Sequence, residues 1–126
     1  MTINEFLHTP LEDISEKLKN KELEISNVGA RRYDRLVRKK KSLEYNISRW
    51  EFVAGRRDGE IMFYVFSAYC YRRGSERTLF TISFGPSGLI FGLVIKYGSL
   101  DCDLRQIDYR KTLADYIEEV KKSEDS

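Results

Sequence analysis

Histidine, tryptophan, cysteine, proline and methionine are all scarce in this chain: one, one, two, two and two in 126 residues. A single histidine, His8, leaves no partner set for a Ser-His-Asp or Cys-His nucleophile, a two-histidine ribonuclease site or a histidine-rich metal centre. Cys70 and Cys102 have neither the spacing of a zinc site nor the number for a disulfide framework, which points to a reducing, cytoplasmic setting. Long apolar runs are missing as well. The longest, "IMFYVFSAYCY" from Ile61 to Tyr71, is about half of the roughly 20 residues that a membrane helix needs. The opening stretch "MTINEFLHTPLEDISEKL" has early acids and no h-region, so it reads as neither a secretory signal nor a transit peptide. Glycines do not form a phosphate cradle, because "GPSGLIFG" joins two apolar segments of strand type and lacks the strand-to-helix turn and the Gly-Lys-Ser/Thr ending.

What is present is ample apolar and aromatic material. Hydrophobic residues make up 41% and aromatics 13%, enough for one core in a chain of single-domain length. We expect an α+β domain: a four-stranded antiparallel β-meander flanked by two N-terminal helices and one C-terminal helix. Residues 1–42 form the helical N-terminal part, 43–97 the antiparallel sheet, and 98–122 the C-terminal helix region.

Thr9-Pro10-Leu11-Glu12 has the form of a capping box, and Leu11, Ile14 and Leu18 follow at helical spacing, predicting a helix from about Pro10 to Lys19. Asn27 caps a second predicted helix through Tyr33, Leu36 and Val37. From Leu43 the period becomes two. The turn signals "RRDGE", "RRGSE" and "GPSG" then separate four predicted strands. After "YGSLDCD" a helical stripe returns at Ile107, Leu113, Ile117 and Val120, with its cap expected between Asp103 and Gln106 or at Asp108. The second and fourth strands are apolar on both faces, so both faces should be covered, by helices, by a partner or by a second copy in a homodimer.

Charge is the other resource, and it is unevenly spread. The chain has a net charge of +2, yet residues 28–77 hold thirteen Lys/Arg against six acids, while both flanks are net acidic. The concentration peaks in "RRYDRLVRKKK", with seven positive side chains and one acid in eleven residues. On a helix, Arg31, Arg35 and Arg38 share one face, with Arg32, Lys39, Lys40 and Lys41 beside them, a stripe suited to phosphates. Arg49 extends it, and Tyr33, Tyr45 and Trp50 offer rings for stacking on unpaired bases.

The first expectation is therefore a non-catalytic module that binds DNA or RNA and needs no cofactor. The second is a small inhibitor, toxin-neutralising or defence-blocking, that docks on an acidic or nucleic-acid-handling protein. A weaker third is a Mg²⁺ site built from Asp101 and Asp103 with Asp108 or Glu118, set against the simpler reading that Asp103 caps the last helix.

Overall fold

A computed structural model of the chain describes residues 1–20, 47–97, 100–104 and 106–125. Three helices, α1 (Ile3–Leu7), α2 (Leu11–Lys19) and α3 (Leu113–Asp125), accompany five strands in the described residues. The strands are β1 (Ile47–Arg57), β2 (Glu60–Arg72), β3 (Ser75–Phe84), β4 (Ile90–Tyr97) and β5 (Leu100–Leu104). All four neighbouring pairs are antiparallel and the sheet order is the chain order, a meander. The expected α+β architecture is present, with one more strand than the sequence led us to count. The second predicted helix, with its Asn27 cap, lies outside the described residues.

The fifth strand corrects the reading of "LDCDL" as a lead into the last helix. Leu100, Cys102 and Leu104 alternate with Asp101 and Asp103, a period of two that is easily missed in five residues. The register places Lys96 opposite Asp101 and Val94 opposite Asp103.

The inner face of the sheet carries Trp50, Phe52, Tyr64, Phe66, Ala68, Phe80, Ile82, Phe84, Leu93 and Ile95, all buried. Phe66 is the hub. Its ring stacks on Phe6 of α1 at 4.1 Å, on Phe80 at 5.6 Å and on Trp50 at 5.7 Å between centroids. The helices complete the same core through Leu7, Leu11, Ile14, Leu18, Leu113, Tyr116, Ile117 and Val120. A two-layer arrangement results, because each helix has only one apolar stripe to bury and the inner sheet face accepts all of them.

Helix starts depart from expectation in an instructive way. The short α1 is initiated by Thr2, whose hydroxyl accepts the amide of Glu5 at 3.1 Å, in a Thr-x-x-Glu pattern that passes unnoticed beside the more obvious Thr9-Pro10 signal. Thr9 does not cap α2. Its hydroxyl donates back to the Glu5 carbonyl at 2.5 Å, and α2 has no side-chain cap. Two carbonyls from distant sequence take over: Leu11 N donates to Lys111 O at 2.9 Å and Glu12 N to Tyr109 O at 2.8 Å. The first orphan amides of α2 are thus satisfied by tertiary contact.

The last helix begins later than its acids implied. Thr112 and Asp115 form a reciprocal cap: Asp115 N donates to Thr112 Oγ1 at 3.1 Å and Thr112 N donates to Asp115 Oδ2 at 3.0 Å. Asp108 instead engages Arg110, accepting its backbone amide at 3.0 Å and its guanidinium at 3.1 and 3.2 Å. Ile107 packs against the core from the preceding loop rather than from a helical turn.

Candidate interaction surface

The opposite face of the sheet has two chemically distinct halves. Side chains alternate along each strand, so the residues between the buried ones, namely Arg49, Glu51, Val53, Val65, Ser67, Tyr69, Thr81, Ser83 and Val94, point outward. Among the described elements no helix packs on this side. Among the described residues, the expected covering of both faces is seen on the inner face, while on the outer face Ser67 is buried and Val65, Thr81 and Val94 are half-buried.

The half beside the β2–β3 turn is polar and internally paired. Arg49 Nε bonds Glu76 Oε1 at 2.5 Å, and the guanidinium lies 3.8 Å from the centroid of the Tyr69 ring. Ser48, set in a bulge of β1, donates to Glu76 Oε2 at 3.0 Å. The Tyr69 hydroxyl donates to Glu51 Oε1 at 2.9 Å. Partial burial, together with this bond to a carboxylate and the carboxylate's negative charge, raises the Tyr69 phenol above its ordinary value; the nearby Arg49 works in the opposite direction. Ser67 and Thr81 share a hydrogen bond of 3.2 Å at the centre of the face.

The other half, beside the β1–β2 and β3–β4 turns, is apolar. Val53, Val65, Ser83 and Gly92 form one row across four strands. In the next row the Phe63 ring lies over Gly55, where an added Cβ would collide with it, a way of filling the space that a strand glycine leaves. A bulge leaves Phe91 as the extra residue between Ile90 and Gly92, and Gly85 N binds Leu89 O at 2.7 Å at the mouth of the turn. Leu89 is 63% exposed and Phe91 61%. With Val53, Met62 and Phe63, they make five of the six large exposed hydrophobic residues that the described part contains, all at one end of the sheet; Tyr71 is the sixth.

This end is held firmly from behind. Gly88, at φ +88°, sits so close to the Ser15 carbonyl of α2 that a Cβ would clash with it. Ile90 N donates to the Tyr109 hydroxyl at 3.1 Å, which fixes the start of β4. Backbone anchoring on both sides of Leu89 explains how a bulky apolar residue stays outside: the turn has no freedom to fold it in.

Of the residues singled out from sequence, Arg31, Arg32, Tyr33, Arg35, Arg38, Lys39, Lys40, Lys41 and Tyr45 lie outside the described residues. Trp50 needs correction as a stacking platform. It is 2% exposed, with its ring packed against Phe66 and its indole N–H without a hydrogen-bond partner among the described residues. In strand alternation Trp50 shares the inner face with Phe52, and burial of the largest apolar side chain wins over any surface role. Arg49 is outward but engaged with Glu76 and Tyr69. His8 Nδ1 donates to the Asn4 carbonyl at 2.8 Å at the end of α1, a local helix-end contact.

Glu51, Asp58 and Glu60 do not converge: Glu51 holds Tyr69, while the other two sit exposed at the tip of the first hairpin. Among the described residues no group of three or more His, Cys, Asp or Glu is placed to hold a metal ion, and no helix is long and apolar enough to cross a membrane. The sequence reading missed Leu89 and Phe91 as surface residues. Their signal was the two-sided apolar pattern of "GLIFGLVIKY", which does not say which face the helices take. Comparison with protein-family models, with curated proteins and with solved structures finds no match to the chain.

Proposed function

We propose that this chain is a non-catalytic docking protein that acts by association, seating the apolar end of its outer sheet face on a protein surface. The observation that carries the reading is the gathering of Val53, Met62, Phe63, Leu89 and Phe91 at one end of one face. Scattered exposed hydrophobics are ordinary, but a cluster of Phe, Leu and Met with a polar surround has the composition of an interface core. Its backbone is anchored, so little ordering is needed on binding.

Photo-crosslinking in the producing cells tests this. A benzophenone amino acid in place of Phe91 should give a discrete protein adduct that the same probe in place of Glu16, exposed on α2, does not. No adduct at position 91, or the same adducts at both positions, would refute the reading.

A second reading rests on the concentration of positive charge between Arg31 and Lys41. That segment supplies the phosphate contacts of a DNA- or RNA-binding module, without Trp50 as a stacking ring because it is buried. Its test is a titration with single-stranded DNA, duplex DNA and RNA at two salt concentrations. Affinity should fall steeply with salt and disappear in the Arg35→Glu/Arg38→Glu variant. Binding that this double variant leaves intact would exclude the segment.

A further inference from the structure

We infer that the occupant of the apolar end is a second copy of this chain, packed face to face about a two-fold axis. The inference rests on the docking reading above and names its partner.

The charge around the patch is the first argument. Arg56, Arg57, Asp58 and Glu60 are all exposed at the tip of the β1–β2 hairpin, two of each sign. Register sorts them by face. Arg56 lies opposite Ile61, which packs against the core, so the following pair, Arg57 opposite Glu60, borders the outer face. A strongly acidic or strongly basic partner gains nothing net from such an edge. A surface that carries both signs complements itself when a two-fold axis brings it onto its own copy, since the positive position of each protomer then meets the negative position of the other.

Relief of the surface is the second. Phe91 protrudes from its bulge immediately beside Gly92, where a Cβ would have nothing within 4 Å. A projecting ring and a stretch of bare, open backbone therefore stand next to each other. Isologous packing uses both, since the ring of each copy then rests over the side-chain-free position of the other.

Area is the third. Five large side chains exposed to this extent present on the order of 400 Å² of apolar surface, at the level of the largest patch a monomer ordinarily shows. A stable interface buries about 800 Å² per partner, of which roughly half is polar rim. Arg57, Glu60, Pro86 and Ser87 stand around the patch to provide that rim.

Sedimentation of the full chain over roughly micromolar to half-millimolar concentration tests the inference. We expect a reversible monomer–dimer equilibrium. Leu89→Asp and Phe91→Asp, both at exposed positions, should keep the circular dichroism of the parent and weaken association by about 100-fold. Arg57→Glu and Glu60→Arg should each weaken self-association by about 10-fold, and mixing the two variants should restore a 1:1 heterodimer. A monomer at every concentration overturns the inference, as does a dimer indifferent to Leu89→Asp and Phe91→Asp. The crosslinking experiment separates the two levels. An adduct of twice the chain's mass agrees with the second copy; an adduct to a different protein, with a monomer in sedimentation, overturns the second copy and leaves docking standing. No adduct at all removes both.

Discussion

Gly88→Ala is the substitution that best tests how the exposed apolar end is held. Two separable effects act at this position. A left-handed backbone, φ +88°, disfavours any Cβ by about 1–2 kcal/mol. The Cβ would in addition collide with the carbonyl of Ser15, and because that atom is helix backbone, whose amide and carbonyl partners fix it, relief requires the turn to lift away from α2. Overpacking against an unyielding neighbour costs a further ~1–3 kcal/mol, so the total is about 2–5 kcal/mol.

Gly59→Ala provides the control. Gly59 has a similar φ of +82°, and an added Cβ there would meet nothing within 4 Å, so only the conformational part applies. Urea unfolding of the parent and both variants, with unchanged slope as the condition for comparison, reads the difference directly. Gly88→Ala should be less stable than Gly59→Ala by at least ~1 kcal/mol. Equal stabilities within about 0.5 kcal/mol would refute the close seating of the β3–β4 turn on α2, and with it the reason why Leu89 stays outside.

Three further outcomes follow from the contacts described. Thr112→Ala removes one arm of the reciprocal cap on α3 and should cost about 1 kcal/mol in urea unfolding, whereas Thr9→Ala, which removes no helix-start bond, should leave the amide protection of α2 intact in hydrogen exchange. The Tyr69 phenol should titrate above the ordinary tyrosine range in ultraviolet absorbance; Glu51→Gln should lower it but not fully, since burial is the largest cause. Hydrogen bonds from Arg110 hold the Asp108 carboxyl below the usual carboxylate range. A depressed folded value means that this contribution is present above the ordinary pKa and is lost as pH falls through the folded one. Carbon-detected NMR titration should show the Asp108 value rise in Arg110→Ala.

Much of the sheet was legible because strand turns announce themselves. Asp58-Gly59 and Arg73-Gly74 are the left-handed pairs at the first two hairpins, and both fall within the turn signals "RRDGE" and "RRGSE". The apolar stripe of α2 was equally plain, at Leu11, Ile14 and Leu18. Less legible was anything decided by contacts remote in sequence. Thr9 looked like a cap, yet Tyr109 and Lys111 supply the carbonyls that start α2. Five residues of β5 alternate too briefly to stand out before their pairing with β4 is known.

The candidate surface was legible only in part, since the two-sided apolar strands predicted something to be covered without saying which face the helices would choose. Phe6 and Phe66 decide that choice by stacking. Bulges then shift local parity, which is how Ile61 reaches the core while Met62 is left outside, the reverse of simple alternation.

The borrowed cap of α2 has a consequence for how the protein is made. During synthesis Leu11 and Glu12 leave the ribosome roughly a hundred residues before Tyr109 and Lys111, so the two amides that start α2 wait for acceptors made much later. A segment of nine residues is too short to persist alone. A chain interrupted before Tyr109 therefore lacks both backbone acceptors for the first amides of α2, and that helix then starts with water in their place.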